Sequence, residues 1–216
     1  MNKFSVIIPT MWKVPIFLDT LVELINHEYV YEIIIINNVI SSTPYTSILL
    51  HPKIRVIGFA YNTYVNPAWN FGVLQAKMNN LCILSDDVVF DMNVFSKVDE
   101  YLTDNSIVVV DVPTDPMHTD MQIVKLNSDI HANHFGCLMF CTKNSWIPIP
   151  AGLDLYFGDH WIWDNTLHRG NDIYLIKNLT MDTTKGTTCI QLPEIIDKLY
   201  AESFVYLFYK ENLKRT

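Results

Sequence analysis

The sequence is poor in glycine and in basic residues. It contains 7 glycines among 216 residues, where average usage would give roughly 15, so each glycine is expected where the backbone needs its freedom. Lysine and arginine total 15 against 23 aspartates and glutamates, a net charge of −8. Because binding to DNA or RNA depends on clustered basic side chains, this balance argues against a nucleic-acid partner.

Long apolar runs and paired cysteines are also missing. No run approaches the roughly 20 apolar residues of a membrane-spanning helix, and the segment before Pro9 is too short for a secretory signal, so a cytoplasmic protein is expected. The four cysteines form no C-x-x-C pair, which favours buried thiols over a disulfide framework or a zinc site. A P-loop, a dinucleotide fingerprint, a nucleophile elbow and an H-E-x-x-H motif are absent from the sequence.

Apolar residues make up half of the chain and aromatic residues 12%, which excludes a disordered protein. Short apolar segments typical of buried strands alternate with segments of helical periodicity. Strands are predicted at residues 4–8, 32–36, 53–59, 81–84 and 107–110, and helices at 16–25, 67–77 and from the cap Asp91 to about 102. This alternation predicts an α/β fold with a doubly wound, mostly parallel sheet.

The second half of the chain is less regular. It has an apolar stretch at 136–140, a helix that begins near Gly158, a strand at 173–176 and a last helix opened by Pro193. Because no linker or repeat divides the chain, we expect a single domain over residues 1–216, with halves of about 1–112 and 113–216.

Polar residues follow several of the predicted strands, where doubly wound sheets bind their ligands. Asp86 and Asp87 come directly after one strand, and adjacent carboxylates repel unless a cation or hydrogen bonds offset their charge. Hard oxygen ligands suit Mg²⁺ or Mn²⁺, especially beside phosphate oxygens. The pair therefore indicates a metal and diphosphate site, with a helix cap or a solvated turn as the alternative.

The order of these motifs resembles that of nucleotide-sugar glycosyltransferases with the GT-A fold, closest to family 2. The matching segments are FSVIIPT at 4–10, EIIIINN at 32–38, YNTYVNPAWNFG at 61–72 and LSDDV at 84–88, followed by acceptor-side segments at 135–140, 152–154 and 157–161. The resemblance runs from about residue 4 to 170. It implies a Rossmann-like nucleotide-sugar-binding half over about 1–112 and an acceptor-side half over about 113–216.

The resemblance also implies a set of donor-binding residues and a Mn²⁺ or Mg²⁺ cofactor. Asp87 is the implied metal ligand, Asp86 lies nearer the ribose or the sugar and is a second metal candidate, and Asp182 is a third. The remaining residues implied to bind the donor are Pro9, Thr10, Asn37, Asn62, Asn66, Asn70 and Lys185. Turns and caps are the alternative for each asparagine, and a loop contact is the alternative for Asp182 and Lys185.

Two positions depart from the family pattern. Asn37 replaces an acid that usually grips the base, and Ser85 replaces the first aspartate of the fullest form of the aspartate motif. The motifs therefore indicate a nucleoside diphosphate more strongly than they indicate which nucleobase it carries.

The acceptor side is implied by the pair Asp159 and His160, which occupies the position of the family's acidic pair. A general base has to be charged at neutral pH within reach of the acceptor hydroxyl, which an aspartate meets and a histidine meets only in part. Asp159 is thus the implied general base of an inverting reaction. Asp154, His160 and Trp161 are implied acceptor contacts, with a packed histidine and a turn or cap at Asp154 as alternatives.

The resemblance implies a metal-dependent transferase that moves a hexosyl or deoxyhexosyl group, from a UDP-sugar in preference, to a hydroxyl of a glycan or lipid-linked acceptor in polysaccharide biosynthesis. A non-catalytic glycan-binding module of the same fold is one alternative. A sugar-phosphate nucleotidyltransferase is another, but it needs a glycine-rich basic loop after the first strand, and residues 9–13 contain no glycine.

The last helix carries apolar residues along one side and basic residues at its end. Packing on the core is the first interpretation, and a homodimer contact or a peripheral contact with a membrane surface are the alternatives. The apolar residues are Ile196, Leu199, Tyr200, Phe204, Leu207 and Phe208.

Overall fold

The structure is a computed structural model that describes residues 2–39, 41, 43–44, 46–111, 120–127, 131–132, 135–184 and 193–215. Its strands are β1 Phe4–Thr10, β2 Val30–Asn37, β3 Ile54–Gly58, β4 Asn80–Leu84, β5 Val89–Phe90, β6 Ser106–Val110, β7 Gln122–Lys125, β8 Leu138–Thr142, β9 Asp172–Lys177 and β10 Met181–Asp182. Its α-helices are α1 Phe17–Asn26, α2 Val65–Gln75, α3 Val94–Val98, α4 Gly158–His168 and α5 Pro193–Leu213, and 3₁₀ turns occur at Ser47–Leu50 and Phe135–Cys137.

Eight of these strands form one sheet in the order β3-β2-β1-β4-β8-β6-β9-β7, and β5 pairs with β10 in a separate ribbon. Strands β1 to β4 are parallel to one another. Strand β8 is antiparallel to β4 and β6, β9 is parallel to β6, and β7 is an antiparallel edge strand. The predicted α/β fold with a mostly parallel sheet is confirmed, and the sheet draws strands from both halves of the chain.

The isoleucine run of β2 shows why this sheet is covered on both faces. Ile33 and Ile35 belong to the apolar cluster that contains the buried sides of α1 and α3. Ile34 and Ile36 belong to the cluster on the other face, which contains buried residues of α2 and α4. Since successive side chains of a strand point to opposite faces, a continuous β-branched run is what a central strand between two helical layers requires.

Helix α3 is shorter than the sequence predicts. It begins after Asn93 and ends at Val98, and Asn93 makes no side-chain cap hydrogen bond. Instead Asp91 accepts a hydrogen bond from the Asn93 backbone N–H at 2.9 Å, two residues ahead of itself. Tyr101 lies beyond the helix and packs against Tyr174 of β9, with ring centroids 5.2 Å apart.

Helix α5 packs on the second half through one side and exposes the other. Its inward side includes Glu202, which is 2% exposed, and the buried Tyr206. The outward side consists of the six apolar residues named above, which are 37% to 72% exposed. In the described part of the chain, α5 and the other helices lack the combination of length and apolar content that crossing a membrane demands.

Candidate active site

The carboxyl ends of β1, β2 and β4 meet at one edge of the sheet because these strands are parallel. Thr10 and Asn37 are register partners at the ends of β1 and β2. The Thr10 hydroxyl donates to Asp86 Oδ2 at 2.5 Å and accepts from the backbone N–H of Trp12 at 2.9 Å. The structure therefore brings Thr10, Asn37 and Asp86 to one end of the sheet.

The Asp86 carboxyl is largely removed from solvent. Its pKa is raised to about 6, mainly by burial and also by the charge of Asp87, and the hydrogen bond from Thr10 opposes this rise. A desolvated carboxyl that is hydrogen-bonded to Thr10 suits a polar contact with a sugar or ribose hydroxyl. The role of its neighbour Asp87 as a metal ligand stays a prediction.

Asp182 lies on the ribbon that follows these acids. It is the register partner of Val89, two residues after Asp87, and its Oδ1 accepts from the Thr184 backbone N–H and hydroxyl at 2.8 and 2.6 Å. Among the residues that the structure describes, no three His, Cys, Asp or Glu side chains are grouped to hold a metal. The protein ligands available to a cation here are carboxylates. Such ligands suit Mg²⁺ or Mn²⁺, which one or two carboxylates can bind together with phosphate oxygens.

Asn37 and Asn62 form hydrogen bonds within the loops at this end of the sheet. Asn37 is buried, donates to Thr43 Oγ1 at 2.5 Å and accepts from the Val39 backbone N–H at 3.1 Å. Asn62 Oδ1 accepts from the Tyr64 N–H at 2.8 Å. Both residues thus shape the loops beside Thr10, and their contact with a donor stays a prediction.

Asn66 and Asn70 connect α2 to the loop before α4. Asn66 Nδ2 donates to the carbonyls of Leu153 and Tyr156 at 3.2 and 3.0 Å. Asn70 donates to the Ile149 carbonyl at 2.8 Å and accepts from the Ile149 N–H at 3.0 Å. These amides join the two halves of the site, and their predicted proximity to the donor is not tested by these contacts.

Asp159 lies in the first turn of α4, on the acceptor side. Its Oδ1 accepts from both the backbone N–H and the ring Nδ1 of His160, at 2.8 and 2.9 Å. Its Oδ2 lies against Gly136, where an added Cβ would come closer than 3.0 Å. The side chain is 24% exposed, so the carboxylate is oriented and still reachable.

Cys137 lies near both the donor-side and the acceptor-side acids. The pKa of its thiol is raised to about 12, mainly by burial and also by the negative charges of Asp87 and Asp159. Its carbonyl accepts from the Ser85 backbone N–H at 3.0 Å, which joins the end of β4 to the start of β8. Asp159 also lies against the neighbouring Gly136, and Asp87 follows β4, whose last residue pairs with the first residue of β8. Both acids therefore lie at the same end of the sheet.

Asp154 and Trp161 are held by structural contacts. The Asp154 carboxylate forms an ion pair with Lys198 of α5 at 2.8 Å. Trp161 Nε1 donates to the Pro148 carbonyl at 3.1 Å, and its ring packs on Tyr209 of α5. Their contact with an acceptor stays a prediction, and Lys185 lies outside the described residues.

Two left-handed backbone positions precede the helices that carry the site, and α5 covers both. Tyr64, before α2, has φ 62°, and Phe157, before α4, has φ 58°. Lys198 Nζ lies 4.1 Å from the centre of the Tyr64 ring, and Tyr206 stacks on Phe157 at 5.1 Å. Such conformations cost about 1–3 kcal/mol and persist where surrounding contacts fix them, so the C-terminal helix contributes to the shape of the site.

Sequence reasoning missed His131, Gly136 and the role of α5. The His131 ring lies 4.4 Å from the ring of His160, although 29 positions separate the two residues and no local pattern links them. Gly136 entered the sequence argument only as part of a similar segment. The scarcity of glycine was the signal that could have singled it out, because a side chain there would displace Asp159.

Comparisons with known proteins agree with this geometry. The family model described as glycosyl transferase family 2 matches residues 5–142. No curated protein is significantly similar.

Solved structures of the same fold are numerous. GalNAc-T7, solved with UDP, GalNAc and Mn²⁺, is 13% identical with a TM-score of 0.61, and the match covers 84% of this chain and 43% of that one. TarS of S. aureus is 15% identical with a TM-score of 0.58, covering 80% and 35%. Its segment 1–349 with UDP-GlcNAc gives a TM-score of 0.60, covering 80% and 55%. This chain spans less than two thirds of each solved chain.

Proposed function

Because this chain belongs to glycosyl transferase family 2, we propose that it transfers a hexosyl or deoxyhexosyl group from a UDP-sugar to a hydroxyl of a glycan or lipid-linked acceptor, with inversion and with the help of a divalent cation. The placement in polysaccharide biosynthesis and in the cytoplasm belongs to the same proposal. UDP and UDP-GlcNAc in the structures of GalNAc-T7 and TarS support the choice of donor.

The observation that carries the proposal is that Asp87 and Asp159 lie at the same end of the sheet, next to the segment that joins Gly136 to β8. Transfer needs a negatively charged diphosphate on one side of the reacting carbon and a base on the other. A carboxylate shortly after a parallel strand and a second one at the start of a helix, both at this end of the sheet, would supply these two positions.

Asp87, with Asp86 and Asp182 as further candidates, would hold Mn²⁺ or Mg²⁺ at the donor diphosphate. When bound, such a cation stabilises the negative charge that develops on the leaving diphosphate. The Mn²⁺ in the GalNAc-T7 structure supports this assignment. Thr10, Asn37 and Pro9 would line the base and ribose pocket, and Lys185 would contact the diphosphate.

Asp159 would take the proton of the acceptor hydroxyl. As that oxygen forms its bond with the anomeric carbon, the bond from this carbon to the diphosphate oxygen breaks through an oxocarbenium-like transition state. The proton moves to Asp159, and the anomeric configuration inverts. Asp154, His160 and Trp161 would bind the acceptor beside this carboxylate.

A screen of nucleotide sugars tests the proposal against a glycan-binding module. Release of free nucleoside diphosphate would be measured in Mn²⁺ and in EDTA, with water or added glycans as acceptor. The proposal expects release from one or a few UDP-sugars in Mn²⁺ and its loss in EDTA. A binding module would retain the nucleotide sugar intact, and a nucleotidyltransferase would release pyrophosphate from a nucleoside triphosphate.

The exposed side of α5 is proposed as an association surface. Its six apolar side chains are 37% to 72% exposed, and soluble monomers rarely expose large contiguous apolar patches. The surface would bind either a second copy of this chain or a membrane. Sedimentation at several protein concentrations tests for the dimer, and flotation with lipid vesicles tests for membrane binding.

A further inference from the structure

A carboxylate base works best when one oxygen is held and the other faces the substrate. In Asp159 the held oxygen is Oδ1, which accepts two hydrogen bonds, both from His160. A carboxylate only accepts hydrogen bonds, so the imidazole must carry a proton on Nδ1. This leaves Oδ2, the oxygen beside Gly136, as the one to take up a proton.

The His160 ring is itself fixed by packing. The His131 ring meets it edge-on at 4.4 Å, and the rings of Phe135, Phe157 and Tyr206 lie 5.5 to 6.0 Å away. A ring bounded by four others has little freedom to rotate, so Nδ1 stays directed at Asp159.

His131 is anchored to the C-terminal helix through Asp164. His131 Nε2 lies 3.2 Å from Asp164 Oδ1. The second oxygen of Asp164 accepts from the Tyr206 hydroxyl at 2.5 Å and lies 2.9 Å from Lys210 Nζ. Asp164 is mostly buried, with its side chain 14% exposed. A continuous series of contacts therefore runs from α5 to the proposed base.

We propose that His160 is a positioning residue for Asp159, and that Tyr206 and Lys210 of α5 hold His160 in place through Asp164 and His131. The inference rests on the proposed function, and it adds the C-terminal helix to the machinery of the reaction. Its basis is that two strong donors fix one carboxylate oxygen, since hydrogen bonds to charged groups are about twice as strong as neutral ones.

Two variants of His160 test the positioning role. In His160→Phe the ring packing is kept and the Nδ1 donor is lost, while in His160→Asn the side-chain amide presents a donor at nearly the same place. We expect His160→Phe to lower kcat by about 10- to 100-fold, as a displaced reacting group does, with unchanged UDP affinity and donor KM. His160→Asn should recover most of that loss.

The link to α5 is tested with Tyr206→Phe and a matched control. Tyr206→Phe removes one donor to Asp164 and should lower kcat by a smaller factor, about 3- to 10-fold, which is the net value of one charged-group hydrogen bond or less. Tyr31→Phe makes the same change at an exposed tyrosine near the start of β2 and should leave kcat unchanged.

Other outcomes overturn the inference. Full activity in His160→Phe would remove the positioning role, and losses that track the folded fraction would reduce it to a structural one. Equal losses in His160→Phe and His160→Asn, with rescue of a His160→Gly variant by free imidazole, would show that His160 accepts the proton itself.

A measurement without substrate separates this inference from the proposed function. Imidazole ¹⁵N shifts of the resting protein should show His160 with its proton on Nδ1, and Tyr206→Phe should shift the balance between tautomers. The same tautomer population in both proteins would refute the network, whether or not the wild type transfers a sugar. If the ¹⁵N shifts are as expected but no UDP-sugar is consumed in the donor screen, the proposed function is refuted and the network is not.

Discussion

The carboxylate of Asp159 lies directly against the Cα of Gly136, so that a side chain at position 136 would meet its Oδ2 atom. This contact joins the 3₁₀ turn that leads into β8 to the first turn of α4. It also explains one of the few glycines of the sequence by close approach, since no special backbone angle is involved.

Substituting Gly136→Ala should therefore reduce transfer while the protein stays folded. The added methyl group would push the far end of the Asp159 side chain from its position, and displacement of a reacting group by about 1 Å can cost 10²-fold in rate. We expect kcat to fall by about 10- to 100-fold, with unchanged calorimetric affinity for UDP. Retention of wild-type kcat in this variant would show that the observed orientation of Asp159 is not the reactive one.

The two strand-end acids should differ in their effect on nucleotide binding. Calorimetry of UDP binding with and without Mn²⁺ should show that Asp87→Ala removes the metal-dependent gain in affinity. That gain should be at least about tenfold, equivalent to about 1.4 kcal/mol. Asp86→Ala should cause a smaller loss, because its carboxyl is bonded to Thr10. Equal affinity in all titrations would contradict the metal assignment.

Asp164 should contribute to stability in a pH-dependent way. Although burial raises its pKa, hydrogen bonds from His131, Tyr206 and Lys210 outweigh burial and bring the pKa well below its usual range. A depressed pKa stabilises the fold above the unfolded value of about 3.9 and loses that contribution as the pH falls below it. The wild type should thus exceed Asp164→Asn in free energy of unfolding at pH 7, and the gap should narrow progressively as the pH falls below about 4 toward the pKa of the folded state.

An exposed ion pair provides the control for this experiment. Glu211 and Lys214 lie 2.9 Å apart at the end of α5, with both side chains about 60% exposed. Because surface pairs contribute little, denaturant titrations of Glu211→Gln should follow the wild type across the pH range. A gap for Asp164→Asn that persists unchanged into acid would assign its effect to packing and not to charge.

The central strands could be predicted from the sequence because burial on both faces leaves a continuous apolar run, as in residues 33–36. Strand β7 could not, since it is an edge strand with mostly exposed residues. The two-residue strands β5 and β10 are too short to leave a pattern. The antiparallel direction of β8 was also hidden, because its five buried residues look the same in either direction.

The candidate site was predictable to a similar degree. Strand-end positions such as Thr10 and Asp86 follow from the alternation of strands and helices, and Asp159 from the family resemblance. The contacts of Asp159 with Gly136 and of His160 with His131 depend on segments that are distant in the sequence. Such contacts are decided by tertiary packing, which no local pattern encodes.

The most direct test of the account is the behaviour of Asp159→Asn, which keeps the shape of the side chain and removes its basicity. Transfer to a saturating acceptor and UDP binding in Mn²⁺ would be measured on the same protein. We expect Asp159→Asn to have nearly unchanged UDP affinity and to lose turnover by at least roughly 10²-fold, the lower end of the range for a positioned general base. Turnover close to that of the wild type, or a product of retained anomeric configuration by NMR, would contradict it.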